Sequence, residues 1–219
     1  GAAADFFPAL ARDLGLAGVE VWAVDLAHGV DAWAEAAQAN GLRIAAVNYG
    51  KSGRLISADR AEREAAAAAL RQALVNAVDL DAGGVVVVPH YGAPNLPDLT
   101  PYKSVLQLQY ELLHNHLRTL SDYTHAMGTN LFIEPANHYE TSFVVTLADG
   151  VRVRRHIKDH PQVMLAADTF HAALEEENVA EALRAHAADI GYLHLSDHNR
   201  RLPGCGLLNW AEIGAALRD

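Results

Sequence analysis

The sequence has 219 residues, which is enough for one domain with a sizeable hydrophobic core. Apolar residues make up 51% of it and charged residues 20%, a composition that predicts a soluble globular protein. Acidic residues outnumber basic residues by 27 to 17, so the formal net charge is −10. Nucleic-acid binding relies on Lys and Arg that neutralise phosphates, so this charge argues against a nucleic-acid partner but not against a small neutral or cationic substrate.

Cysteine content and hydropathy bear on the location of the protein. Cys205 is the only cysteine, so these 219 residues cannot form an internal disulfide bond. The sequence shows no signal-peptide pattern and no apolar run long enough to cross a bilayer, and we therefore expect no membrane partner. Together these features predict a protein of the reducing cytoplasm.

The sequence alternates between helix and strand patterns along its whole length. In chain order, we predict a helix over 5–14, a strand over 18–22, a helix over 31–40, a strand over 43–48, a helix over 58–77 and a strand over 85–89. There follow a long helix ending near 127, a strand over 130–135, a helix over 147–157, a strand over 163–168, a helix over 179–188, a strand over 190–196 and a helix from about 209. This alternation indicates parallel βαβ units.

Two architectures are built from such units: an open doubly wound sheet and a closed (β/α)8 TIM barrel. A doubly wound sheet usually carries a Gly-rich phosphate turn after its first strand, and this sequence has no GxGxxG or P-loop motif. A barrel instead collects polar residues at the C-terminal ends of several strands, as this sequence does. We therefore predict a single TIM-barrel domain over residues 1–219. A barrel has eight strands and six are recognised, so we expect the first and last strands to lie before residue 1 and after Asp219.

Three of the predicted strands carry an ionisable residue near the end of an otherwise apolar face. In a barrel, the side chains of Glu134, Asp168 and His194 would converge at one mouth. A buried carboxylate without a partner is costly, and one divalent metal ion would satisfy all three groups. Taken singly, Glu134 or Asp168 is more often a helix cap or an ion-pair partner, and a histidine such as His194 is more often a hydrogen-bonded core residue. Three coincident positions nevertheless favour a metal site. Two carboxylates and one imidazole suit Mn2+, Mg2+, Co2+ or Zn2+.

A second set of polar residues follows shortly after these three positions. Glu140, His171 and Arg200 each lie no more than six residues beyond one of them, in the predicted loops after the strands. Barrel enzymes keep their substrate contacts in these loops, so we expect the three residues to bind substrate. Other charged residues of the last loop are predicted to be solvated, namely Asp197, His198 and Arg201.

Three spaced segments of the sequence resemble one known family. They are residues 133–140 (IEPANHYE), residues 167–171 (ADTFH) and residues 194–206 (HLSDHNRRLPGCG), the last followed by Trp210. These segments are similar to those of the xylose isomerase-like TIM barrels, in particular the sugar phosphate isomerase/epimerase family with its ketose 3-epimerases. The resemblance covers nearly the whole sequence in element order, and it implies a TIM-barrel fold.

The resemblance also implies a metal site. It makes Glu134, Asp168 and His194 metal ligands, with Mn2+ as the most expected ion and Co2+, Mg2+ or Zn2+ as alternatives. A fourth ligand, a glutamate on the last strand, would lie beyond Asp219. Because related barrels are often dimers or tetramers, we expect a homo-oligomer.

The same resemblance implies a small-molecule sugar as the substrate. Glu140, His171 and Arg200 would hold its carbonyl and hydroxyl oxygens. Glu134 would also take a proton from the carbon next to the carbonyl, giving an enediolate whose reprotonation isomerises or epimerises the sugar. The sequence departs from the commoner family form at His138, where an arginine often follows the asparagine. His138 is therefore either a substrate-binding variation of the loop or an additional acid/base group.

Three other functions stay open at this stage. A metal-dependent dehydratase or lyase acting on a keto-inositol or keto-glycoside would use the same base but expel a leaving group, and His138 is the residue that favours it. A family-2 apurinic endonuclease shares the barrel but needs more metal ligands and a basic DNA face, which the net charge of −10 opposes. A barrel that acts as a non-catalytic subunit of a complex would need no metal.

Overall fold

The six strands of the protein form one parallel sheet. The computed structural model describes residues 7–51 and 54–218 of the chain. The strands are β1 Gly18–Trp22, β2 Arg43–Asn48, β3 Val85–Val87, β4 Leu131–Ile133, β5 Val163–Asp168 and β6 Ile190–His194. Strands β1, β2 and β5 have the predicted bounds, whereas β3, β4 and β6 each end two residues earlier than predicted.

Helices connect these strands in the predicted alternation. Within the described residues the helices are α1 Phe7–Asp13, α2 Val30–Ala39, α3 Arg60–Asp79, α4 Val105–Met127, α5 Leu147–His156, α6 Thr169–Glu175, α7 Val179–Ala185 and α8 Trp210–Ala216, with 3-10 turns at Asp25–His28 and Ala187–Asp189. The predicted start of the first helix lies outside the described residues. None of the described helices is both long and apolar enough to cross a membrane.

Local side-chain bonds fix where the long helices begin and end. The Asp59 carboxylate accepts hydrogen bonds from the first free backbone N–H groups of α3, at 2.7 and 3.1 Å. Ser104 and Gln107 form a reciprocal capping box at the start of α4. Gly128 ends α4 in the left-handed conformation, with φ of 69°, which a residue without Cβ adopts at no steric cost.

Helix α6 was not predicted, because no loop separates it from the strand before it. Asp168 is the last residue of β5, and its carboxylate accepts a hydrogen bond from Phe170 N at 2.7 Å, which makes it the N-cap of α6. His171 was expected in a loop and lies instead in the first turn of this helix. The helix therefore fixes His171 relative to Asp168.

The strand order identifies the type of α/β architecture. The strands follow one another in the sheet in sequence order, from β1 to β6. A doubly wound sheet reverses its order at a switch point, and none occurs here among the described strands. The sheet is also strongly curved, because Glu20 on β1 and His194 on β6 approach to 2.8 Å. In a flat sheet those two strands would be about 24 Å apart, five strand spacings.

The two faces of the sheet bury different sets of side chains. The face toward the helices belongs to the main core, with fully buried Val85, Leu131 and Leu165. The inner face carries a small second apolar cluster, formed by Ala46, Val86, Phe132 and Ala166 with Met164 and Tyr192 packed against it. Side chains along a strand alternate between its two faces. The next inner-face side chains, at the C-terminal ends of the strands, therefore lie directly above this second cluster.

Candidate active site

A cavity of about 390 Å³ lies at the C-terminal ends of the strands. Five of the six strands or the residues just after them contribute to its wall, together with the loops that follow β2, β3, β4 and β6. A larger groove, of about 630 Å³, runs along α3, but it contains none of the residues predicted for the site. The cavity at the strand ends is lined by Glu20, Trp22, Asn48, Lys51, Tyr91, Glu134, Glu140, Asp168, His171, Leu193, His194, Leu195, Ser196 and Arg200.

Glu134, Asp168 and His194 all reach this cavity, as the sequence predicted. Glu134 is only 7% exposed, and its Oε1 atom lies 2.7 Å from His194 Nδ1. Asp168 is 9% exposed; its Oδ1 caps α6, which leaves Oδ2 directed at the cavity, 3.8 Å from His171 Nε2. Two buried carboxylates and an imidazole at the end of a curved apolar sheet form a donor set that fits a divalent cation.

Among the described residues, the group of side chains close enough together to hold a metal ion differs from the predicted trio in one residue. Glu134, Asp168 and His171 each offer one ligand atom, and these atoms lie within 4.8 Å of one another. The hydrogen bonds of His171, however, assign it a different role. Its Nδ1 accepts from the backbone N–H of Asn137 at 3.1 Å, so Nδ1 carries no proton. Burial lowers the pKa of His171 and keeps the ring neutral, although the charge of Asp168 acts in the opposite direction. The proton of the neutral ring is then on Nε2, which faces the cavity as a donor and has no free lone pair for a metal.

His194 lies between two carboxylates. Its Nε2 is 2.8 Å from Glu20 Oε2, on the opposite side of the ring from Glu134. Burial alone would lower the pKa of His194, but the hydrogen bonds and charges of Glu134 and Glu20 outweigh it and raise the pKa to about 10. The space between Glu134 and Glu20 therefore favours a positive charge.

The predicted substrate residues Glu140 and Arg200 form an ionic cluster at the rim of the cavity. Glu140 is held from two sides, by Arg200 at 2.6 Å and by Lys51 at 2.8 Å. Burial would raise the pKa of Glu140, but the hydrogen bond and charge of Lys51 and the charge of Arg200 lower it, so the carboxylate stays ionised. The Arg200 guanidinium also packs on the Phe170 ring, 3.9 Å from its centroid. Arg200 thus has its charge balanced while its remaining N–H groups are available to a ligand.

His138 lies apart from the other predicted residues. Its ring Nδ1 is 2.6 Å from Glu175 Oε1, and its backbone N–H donates to the same oxygen at 2.7 Å. The side chain is about half exposed, and His138 is absent from the residues that line the cavity. The structure therefore brings together Glu134, Asp168, His194, Glu140, His171 and Arg200 but not His138.

The interpretation of Asp197 as a solvated loop charge is wrong. Asp197 is fully buried, and its carboxylate accepts hydrogen bonds from the backbone N–H groups of His198, Gly204 and Leu208 and from Trp210 Nε1. Burial would raise the pKa of Asp197, but these donors outweigh it and hold the pKa far below its usual range. Arg201, by contrast, is exposed as expected.

Four polar residues of the cavity were missed by the sequence interpretation. They are Glu20, Asn48, Lys51 and Ser196. The signal for Asn48 was its place at the end of the second strand, the same place that marks Asp168. Burial raises the pKa of Tyr91 well above its usual value, and the nearby carboxylates of Glu134 and Glu140 add to the shift, so its hydroxyl stays protonated and is a donor.

Known relatives of the chain are sugar epimerases. Over 101 residues the chain is 40% identical to the D-psicose 3-epimerase of Agrobacterium fabrum, an alignment that covers 46% of this chain and 34% of the relative. Over 139 residues it is 32% identical to the 3-dehydro-D-guloside 4-epimerase of Escherichia coli, covering 62% of this chain and 52% of the relative. The chain therefore spans between 34% and 52% of the length of these curated relatives.

The fold agrees with that of solved epimerases. The crystal structure of apo 3-keto-D-glucoside 4-epimerase from Escherichia coli matches this chain with a TM-score of 0.85 and 26% identity, covering 94% of this chain and 79% of that one. A family model described as a xylose isomerase-like TIM barrel matches residues 8–219. These findings confirm the TIM-barrel prediction and the family resemblance. The chain belongs to the xylose isomerase-like TIM barrel family.

Proposed function

We propose that the protein is a divalent-metal-dependent sugar isomerase or epimerase that removes a proton from the carbon next to a carbonyl. The observation that carries the proposal is the meeting of Glu134, Asp168 and His194 in one cavity, with a donor, His171, and an ionic cluster, Glu140 with Arg200, around them. The relatives named D-psicose 3-epimerase and 3-dehydro-D-guloside 4-epimerase support the reaction class.

In this proposal Glu134, Asp168 and His194 hold the metal. The neutral His171 ring with its proton on Nε2 supports His194, rather than His171, as the third ligand. Once bound, the ion supplies an electrophile that polarises the substrate carbonyl. Mn2+ is the expected ion, and Co2+, Mg2+ or Zn2+ are alternatives. A fourth ligand on a strand beyond Asp219 stays a prediction, as does the single barrel domain.

The residues of this chain would orient the sugar and move the proton. His171 Nε2–H and the Arg200 guanidinium donate to substrate oxygens, and Glu140 keeps Arg200 in place. The Glu134 carboxylate takes the proton from carbon and leaves an enediolate. In epimerisation the glutamate expected on a strand beyond Asp219 would give a proton to the opposite face, and in isomerisation the protonated Glu134 would return its proton to the adjacent carbon. Tyr91, on the loop after β3, adds a hydroxyl donor at the cavity wall.

The test is Glu134→Gln in the full-length protein, assayed with D-psicose, L-ribulose and a 3-keto-glucoside in deuterated water. The wild type should incorporate deuterium at the carbon next to the carbonyl. The variant should lose turnover on the order of 10²–10⁴-fold, since the amide cannot accept the proton. Circular dichroism controls for folding, and metal content is measured in parallel because Glu134 is also a proposed ligand. An active Gln variant, or product formed without deuterium, would disprove the assignment.

The alternatives make different products. Elimination by a dehydratase or lyase rests on His138, and His138 contacts Glu175 rather than the cavity, so no contact of the described residues favours it. Product analysis of the same 3-keto-glucoside separates loss of a leaving group from epimerisation. A non-catalytic barrel would bind no stoichiometric metal.

The homo-oligomeric state, a dimer or tetramer, stays a prediction that sedimentation velocity can test. The cytoplasmic location stays a prediction as well.

A further inference from the structure

A chain of hydrogen bonds crosses the cavity from β2 to β4 through His194. Asn48 Nδ2 donates to Glu20 Oε1 at 2.9 Å, and Glu20 Oε2 lies 2.8 Å from His194 Nε2. On the other side of the ring, His194 Nδ1 lies 2.7 Å from Glu134 Oε1. The imidazole is therefore fixed at both nitrogens, and only one of its two partners belongs to the proposed metal trio.

The chemistry of Glu20 determines which nitrogen of His194 is available to a metal. An ionised carboxylate only accepts hydrogen bonds, so its contact with Nε2 requires a hydrogen on that nitrogen. By the same argument the contact with Glu134 puts a hydrogen on Nδ1, the atom that faces the cavity. A metal ion bound at Nδ1 would replace this hydrogen, whereas the hydrogen on Nε2 would stay hydrogen-bonded to Glu20. Glu20 thus selects the tautomer and the ring orientation that a metal ligand needs.

Glu20 is itself held in place by its neighbours. Asn48, which donates to it, also accepts a hydrogen bond from Gly50 N at 3.0 Å, so its amide orientation is fixed. The Tyr192 hydroxyl donates a further hydrogen bond to Glu20. Only 23% of the Glu20 side chain is exposed. A carboxylate that is mostly buried and has three hydrogen-bonding neighbours keeps one position, as an orienting group must.

We propose that Glu20, held by Asn48, is a positioning residue of the metal site, which orients His194 and raises the basicity of its metal-binding nitrogen. This inference rests on the proposed function, since it assumes that His194 binds a metal. Partners of this kind typically change metal affinity by 10- to 100-fold when they are removed.

The experiment is a titration of the metal-free full-length protein with Mn2+, followed by electron paramagnetic resonance of the free ion. Glu20→Ala should weaken Mn2+ binding by about 10- to 100-fold. Glu20→Gln should recover part of the affinity, because its amide oxygen still accepts from Nε2. Asn48→Ala should give a smaller loss, and that loss should disappear in the Glu20→Ala background because Asn48 acts through Glu20.

The controls separate this inference from the proposed function. If the wild type binds no Mn2+, the proposed function fails; if the wild type binds and Glu20→Ala binds equally well, only the positioning role fails. Equal losses in Glu20→Ala and Glu20→Gln would mean that the carboxylate binds the metal directly, which also overturns the positioning role. Glu64→Ala removes an exposed carboxylate from α3 and should bind Mn2+ as the wild type does. Thermal unfolding of the metal-free variants checks that each is folded.

Discussion

The buried imidazole of His90 makes the stability of the fold depend on pH. The side chain is 5% exposed, its Nε2 donates to Ala93 O at 3.1 Å, and its Nδ1 has no hydrogen-bond partner among the described residues. Burial lowers the pKa of His90, and the charge of Arg54 adds to the effect, while the bond to Ala93 opposes it. Protonation would place a second N–H in a buried position without an acceptor.

The sign of this pH dependence follows from the direction of the pKa shift. The unfolded chain takes up a proton near pH 6.5, but the folded chain takes it up only at lower pH. The free energy of unfolding therefore falls as the pH drops from about 6.5 to the lowered pKa. We expect His90→Gln, which keeps a donor for Ala93, to lose less Tm than the wild type between about pH 7.5 and about pH 5.5. Differential scanning calorimetry measures this difference, and parallel Tm curves for the two proteins would contradict it.

The sequence pattern indicated the three proposed metal ligands but not Glu20, the residue that contacts His194. Glu134 and Asp168 stand out because each lies at the C-terminal end of an apolar strand, and both line the cavity. Glu20 alternates with Val19 and Val21 in a short strand, a pattern that equally describes the solvent face of a half-buried sheet. Only the curvature of the six-stranded sheet turns that face inward, and this curvature is a property of the whole sheet and not of five residues.

At the scale of elements, the loop after β6 is organised around one carboxylate. Asp197 accepts hydrogen bonds from both ends of this loop, and a Cβ at Gly206 would collide with its Oδ1, so the chain closes tightly around it. We expect Asp197→Asn to lower Tm and to raise KM more than it lowers kcat, because the amide brings a donor against these N–H groups and the loop carries Arg200.

Asp122→Asn is the matched control for this loop variant. It makes the same change on the exposed surface of α4 and should leave Tm and KM unaltered. Calorimetry and steady-state kinetics on both variants check the pair. A normal KM in Asp197→Asn would show that the loop positions Arg200 without this carboxylate.

The order and type of the helices and strands could largely be predicted from the sequence, but the boundaries between consecutive elements could not. Short, mostly apolar segments bounded by turn residues identified all six strands, three of them with correct bounds. Helix α6 was not predicted because Asp168 is both the last residue of β5 and the N-cap of α6. No turn residue therefore separates the strand from the helix. The buried state of Asp197 was also hidden, since its donors come from up to thirteen residues later in the sequence.

At the scale of the whole molecule, metal binding should stabilise the fold. A ligand at 100 times its Kd that binds only the folded chain contributes about 2.7 kcal/mol. For a chain of this size that corresponds to a rise in Tm of roughly 5–10 °C. We expect Mn2+ to produce this rise in the full-length protein and EDTA to reverse it, as measured by differential scanning fluorimetry.

Asp168→Asn provides the control for the metal effect. Asparagine caps a helix as well as aspartate does, so α6 should persist, while the charged ligand atom is lost. This variant should keep its metal-free Tm and show a much smaller rise with Mn2+. A wild-type Tm that Mn2+ leaves unchanged would count against a metal site.

The pair of Glu20 and His194 has a consequence for how the chain folds. Neighbouring strands are also neighbours in sequence, so most of the sheet grows by adding one βα unit to the next. The bond between Glu20 and His194 joins residues 174 positions apart, and it forms only once the intervening units have closed the arc. We therefore expect this site to be absent from partly folded chains, and we expect its hydrogen bonds to slow unfolding while leaving the rate of folding almost unchanged.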